Sequence, residues 1–148
     1  MKVYTIVFVL FFGMFSFAQD LNLLRKNLPL AVDEKKICEQ MMNLLLKNAK
    51  TSVEISYLGV YQTIWANHVI NPISKLSTFK KGTKNIDLAI KQQPNDVEIR
   101  FIRHSVQKNA PQFLGYSGAL KADESFLKSN YHQVESTTLK EMIKNLLQ

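Results

Sequence analysis

The chain has 148 residues, 46% of them hydrophobic and 21% charged, with five Gly, four Pro and one Cys. These values exclude a collagen-like repeat, a low-complexity disordered chain and a disulfide scaffold, and the length allows one domain with a sizeable core. Nineteen basic and twelve acidic residues give a net charge of +7, a balance that names no reaction.

Met1–Asp20 differs from the rest. Lys2 supplies a positive start, Val3–Phe15 is apolar except at Tyr4, Thr5 and Gly13, and Ser16-Phe17-Ala18 puts small residues where a signal peptidase needs them. Residues 1–18 therefore read as a signal peptide, cut between Ala18 and Gln19. A spanning helix needs about 20 apolar residues, and this run ends short of that. No Cys follows to accept a lipid. The expectation is an exported single domain, Gln19–Gln148, periplasmic or extracellular, with no transmembrane segment. Export turns its basic charge away from nucleic acid and toward solubility, or toward weak contact with anionic envelope surfaces through Lys80, Lys84 and Lys91.

From Leu21 onward, helical periodicity recurs and strand-type alternation is nearly absent. Leu21, Leu24 and Leu28 form a short amphipathic turn ending at Pro29. Asp33 then caps a helix to about Lys50, with Ile37, Met41, Leu44, Leu45 and Ala49 inward. Cys38 lies on the apolar arc of this helix and reads as a buried structural thiol. From Glu54 to about Val69 the apolar residues fall on two faces, Ile55/Leu58/Trp65/Val69 and Tyr57/Val60/Tyr61/Ile64, as in a helix at the middle of a bundle. Trp65 is expected to be a core residue joining the two central helices.

Asn71-Pro72 opens the next helix, which reaches about Gln92 and turns Leu76, Phe79, Thr83, Ile86 and Ile90 inward. Gly82 at its middle either permits close packing or marks a break. Pro94 stops that helix, and Asn95 with Glu98 has capping-box spacing for one over about Asp96–Asn109. Ala110–Tyr116 is loop-like, but Phe113, Leu114 and Tyr116 are too apolar for an open loop and are expected to fold back onto the bundle. Helices over about Ala119–His132 and from about Thr138, capped with Glu141, complete the chain. The fold class is thus all-α, with about six helices arranged as antiparallel hairpins, in a bundle or a short array.

The segment Gly82-x3-Ile86-x2-Ala89-x4-Pro94 resembles the second helix of a tetratricopeptide repeat, and Asn95 with the helix after it resembles the start of the next repeat. The likeness covers residues 82–109. The early Trp, Leu-Gly and Tyr positions of the motif fall on Arg100, Arg103-His104 and Gln107, which do not match. The resemblance implies stacked helical hairpins and, in that family, a concave surface that binds proteins or peptides; no binding residue carries over. The run Arg100-Phe101-Ile102-Arg103 through Gln107 to Pro111 and Tyr116 is similar to a pattern in an uncharacterised family of exported bacterial proteins, which implies export and brings no activity.

Chemistry-bearing motifs are scarce. His68, His104 and His132 are far apart, no HExxH or CxxC occurs, and no metal or other cofactor is expected. Tyr116-Ser117-Gly118 lacks the strand that a nucleophile elbow needs. Glu39, Glu54 and Glu98 could converge as catalytic carboxylates, yet nothing in the sequence selects them. No catalytic residue is assigned. Arg100 and Arg103, three apart on one helix edge near Tyr116, are the candidate anion-binding group. A structural alternative has Asp96 pairing with Arg100, or either Arg capping carbonyls of the Ala110–Tyr116 loop. The expected function is a non-enzymatic exported module that binds another envelope or secreted protein or a peptide; the alternative is an enzyme acting on envelope polymers.

Overall fold

The computed structural model describes residues 21–148, so the expected signal peptide and its expected cleavage point lie outside the described residues. Seven α-helices make up the described chain: α1 (21–33), α2 (Lys35–Asn48), α3 (Ser52–His68), α4 (Pro72–Gln92), α5 (Val97–Asn109), α6 (Leu120–Asn130) and α7 (Thr137–Leu147). Short 3-10 turns at Gln112–Leu114 and Tyr131–Gln133 sit either side of α6. No strand occurs among the described residues, and no helix there is long and apolar enough to cross a membrane.

Helix α3 is the centre. Its buried residues, including Ser56, Tyr57, Val60, Tyr61 and Ala66, point in several directions, as its two apolar faces require. Its start is fixed by a capping box: the Thr51 hydroxyl accepts the Glu54 N–H at 3.3 Å, and Glu54 accepts the Thr51 N–H at 2.9 Å. Burial would raise the Glu54 carboxyl, and the backbone donors of Lys50 and Thr51 outweigh it, leaving the group below its ordinary value.

Cross-links between helices give the register. The Tyr61 hydroxyl donates to the Leu24 carbonyl at 2.7 Å, and His68 Nε2 lies 2.9 Å from the Ala31 carbonyl, so α1 runs parallel to α3. Cys38 contacts the Tyr61 carbonyl, and Lys35 lies over the Trp65 ring, so α2 runs antiparallel to it. Burial pushes the Cys38 thiol up to about 12, which keeps it inert at neutral pH.

Helices α3 and α4 form an antiparallel hairpin, linked by Ser52–Gln92 at 2.8 Å and Asn85–Gln62 at 2.7 Å. Its crossing point is glycine on glycine. A Cβ on Gly82 would stand 2.5 Å from the Gly59 carbonyl oxygen and 2.9 Å from the Thr63 nitrogen; one on Gly59 would stand 2.6 Å from the Gly82 oxygen. Gly82 therefore serves close approach and not a break. Gly82→Ala is expected to destabilise by about 1–3 kcal/mol, because overpacking against backbone outweighs a helix-propensity gain of roughly 1 kcal/mol. Gly118→Ala, with no atom within 4 Å of the new Cβ, should leave the melting temperature unchanged in the same assay.

Several expectations need correction. The first helix does not end at Pro29: it continues to residue 33, because burying Leu24, Leu28 and Ala31 along one stripe outweighs the lost N–H. Glu34, not Asp33, precedes α2, and it makes no side-chain cap. The α4 face that packs inward is Phe79, Gly82, Ile86 and Ala89, while Leu76 is 40% exposed. The glycine contact rotates the helix toward α3, which carries Leu76 outward. Trp65 is half-buried beneath Lys35 and beside His68, not in the centre. Asp96 caps α5 through the Ile99 N–H at 3.0 Å, and Ser136 caps α7. On α2 Cys38 and Leu45 are buried, while Leu44, expected inward, is 37% exposed; Leu139 and Ile143 are buried on α7 as their spacing predicts.

Candidate functional site

The site is built around α5, which packs against α3, α4, α6 and α7. Two of its faces hold buried ions. On one, Glu98 accepts from Arg25 Nε at 2.8 Å, from Arg25 Nη2 at 2.7 Å and from the Tyr57 hydroxyl at 2.7 Å. Asn22 takes a third guanidinium N–H. Burial works against the Arg25 charge, but Glu98 outweighs it and holds the guanidinium above its ordinary value. Burial, with Glu98 as neighbour, pushes the Tyr57 hydroxyl well up.

On the other face, Arg100 and Arg103 clamp a carboxylate of this same chain, Asp123 of α6. Arg103 donates through Nε to Oδ2 and through Nη2 to Oδ1, both at 2.7 Å, and Arg100 Nη1 reaches Oδ1 at 2.8 Å. Asp123 is fully buried. Arg100 Nε also donates to the Pro94 carbonyl, and its guanidinium lies over the Phe126 ring. The forked geometry anticipated for an anion is present, with Asp123 as the anion. Neither Asp96 nor the Ala110–Tyr116 loop is the partner: Asp96 caps α5, and the loop carbonyls take no bond from either arginine.

The loop after α5 is only partly folded back. Leu114 and Tyr116 pack against the core, and the Tyr116 ring stands edge-on to Phe79, its hydroxyl donating to Asp87 at 2.8 Å. Phe113 does not follow them: it is 86% exposed. Gly115, at φ 67°, ends the 3-10 turn in the left-handed region and directs Tyr116 back while Phe113 stays outside.

Between the end of α5, this loop and the first turn of α6 lies a cleft of about 570 Å³, lined by residues that include Gln107, Lys108, Pro111, Tyr116, Ser117 and Lys121. Lys108 ties the cleft wall to α7 through the Leu146 carbonyl. Gln107 is only 6% exposed, and its Oε1 has no hydrogen-bond partner among the described residues. One turn earlier, His104 is 3% exposed and its Nδ1 is likewise unpartnered. Such acceptors are costly to bury unless a donor reaches them. Chemically, the cleft offers a serine hydroxyl, lysines in its lining and an exposed aromatic on the adjoining loop.

Burial lowers His104 below the ordinary histidine value, against the opposing pull of Asp123 and Glu124. The neutral ring is therefore favoured in the folded state. Stability from this group is complete above the unfolded value of about 6.5 and is lost as pH falls through the lower folded value. His104→Gln should flatten the fall in melting temperature between neutral and mildly acidic pH.

The sequence candidates are dispersed among structural duties. Glu54 is a cap, Glu98 an ion-pair partner, and Glu39 is exposed. Among the described residues no group of three or more His, Cys, Asp or Glu could share a metal ion. Arg25, His104, Gln107 and Asp123 were not anticipated. Asp123 carried a signal: it lies at apolar-stripe spacing between Leu120 and Leu127, where a charge demands a partner. Comparison of the chain with protein-family models, curated proteins and solved structures produced no match.

Proposed function

We propose that this protein is an exported, non-enzymatic helical module that binds another envelope or secreted protein through a peptide segment held in the cleft beside Phe113. The observation that carries the reading is the cleft of about 570 Å³ between α5, the loop and α6, beside the exposed Phe113 and with Gln107 in its wall. Ser117 and Lys121 in the lining offer an extended segment polar contacts, and an aromatic exposed at 86% on the adjoining loop offers it apolar contact. The ion-paired Arg100, Arg103 and Asp123 hold α5 and α6, the two sides of the cleft, in place and leave the rim to meet the partner.

Export is supported by the Lys2, Val3–Phe15 and Ser16-Phe17-Ala18 pattern and is tested by intact mass, with a start at Gln19 expected. A tetratricopeptide-like stacking is supported by the burial of Gly82, Ile86 and Ala89 at one helix crossing and by the likeness of residues 82–109.

The binding test pairs Gln107→Leu with Phe113→Ala. Replacing an unsatisfied buried acceptor by an apolar group is neutral or stabilising, and removing a solvated ring costs little, so both variants should melt at or above the wild-type temperature. Both should lose capture of the envelope protein that the wild-type chain retains, identified by cross-linking from position 113. Equal capture by wild type and both variants, at equal stability, would remove the cleft from the reading.

A further inference from the structure

The α3–α4 hairpin ends in a tip unlike the rest of the surface. Ile70 is 97% exposed and Ile73 81% exposed, with Leu76 at 40% one turn further on. The tip is not loose. The Asn71 side chain accepts the N–H groups of Ile73 and Ser74, both at 3.0 Å, so two of the helix-start donors are satisfied without water. Behind the tip, α4 carries Lys75, Lys80, Lys81 and Lys84, all exposed and none in an ion pair among the described residues. These lysines fall within about 17 Å of Ile73 along the helix axis. The first acid on α4 is Asp87, already bonded to Tyr116. The contact between His68 and the Ala31 carbonyl brings the end of α1, with half-exposed Leu30 and Val32, to the same end of the molecule. Asp33 and Glu34 there are matched by Lys35 and Lys36, so the end as a whole stays positive.

We propose that this tip is a peripheral anchor for an anionic lipid surface: Ile70 and Ile73 enter the boundary between headgroups and acyl chains, and Lys75, Lys80, Lys81 and Lys84 meet the headgroup charges. Side chains standing this clear of the body present little flat area to a folded protein but fit a fluid interface. The lysines supply the charge complementarity that a neutral apolar partner would not use. Two isoleucines and a group of lysines make a weak anchor, so attachment through the tip is reversible. Ile73 lies about 21 Å along α4 from Asp87, which holds Tyr116 of the cleft, so the anchor is independent of the peptide site and would leave it open.

The test is co-sedimentation of the exported form with vesicles of phosphatidylcholine alone or mixed with phosphatidylglycerol. Wild type should bind the anionic vesicles, weakly or not at all the neutral ones, and should release in high salt. The double change Ile70→Asp and Ile73→Asp, and separately Lys80→Glu with Lys84→Glu, should each weaken partitioning by about tenfold or more at unchanged melting temperature. In Ile70→Trp, fluorescence should shift to the blue on vesicle addition. All variants are compared in the same form of the chain, so whatever precedes Leu21 contributes equally. Binding unaffected by the isoleucine change, no binding to either vesicle, or self-association abolished by that change without vesicle binding would each overturn the proposal.

Discussion

Asp123→Ala should lower stability by about 3–5 kcal/mol, the cost of removing one partner from a buried ion pair. At this chain length that is a fall of roughly 10–20 °C in melting temperature. The reason lies in what remains. Arg100 and Arg103, with side chains 18% and 14% exposed, would face each other as like charges with no counter-ion. Asp123→Asn keeps the shape and one acceptor and should fall between wild type and Ala. Arg103→Ala removes the bidentate fork but leaves Asp123 its bond to Arg100, so it should cost less than losing the carboxylate. A double-mutant cycle over Arg103 and Asp123 measures the coupling. A change below about 1 kcal/mol for Asp123→Ala, the range of surface pairs, would show that the cluster is solvated.

Glu98→Ala should cost a comparable amount, about 3–5 kcal/mol, for a different set of groups. It strands the Arg25 guanidinium, 9% exposed, with Asn22 as its remaining side-chain acceptor, and it removes the acceptor of the buried Tyr57 hydroxyl. Three helices, α1, α3 and α5, lose their shared polar contact at once. Replacing both ions by apolar groups of similar volume, Arg25→Met with Glu98→Leu and Tyr57→Phe, should recover most of that loss, since the penalty comes from unpaired groups and not from absence of the pair. Thermal melts of the single and triple variants check both statements. A triple variant no more stable than Glu98→Ala would mean that packing at this junction, and not charge pairing, sets the stability.

The residues themselves determined the class of structure and the start and stop of most helices. Apolar spacing of three and four, Asn71-Pro72 and Pro94 act within a few residues of themselves, so α3, α4, α5 and α7 could be read before any contact was known. The buried Cys38 and the tight contact at Gly82 were legible for the same reason, the second as one of two alternatives. The signal-peptide reading rests on the residues alone.

What tertiary structure decided is which partner each polar side chain found. Pro29 argued for a helix end, and the buried stripe Leu24, Leu28 and Ala31 overrode it. Phe113 argued for burial, and the turn at Gly115 left it outside. Arg100 and Arg103 signalled a carboxylate clamp, but the carboxylate lay 23 and 20 positions downstream of them, on a helix whose packing against α5 no local pattern specifies. That Gln107 is buried with an unpartnered amide oxygen could be recognised only in the packed molecule. Local sequence sets backbone conformation through short-range sterics and periodicity, whereas pairing of buried polar groups depends on distances between helices far apart in the chain, which only the packed molecule defines.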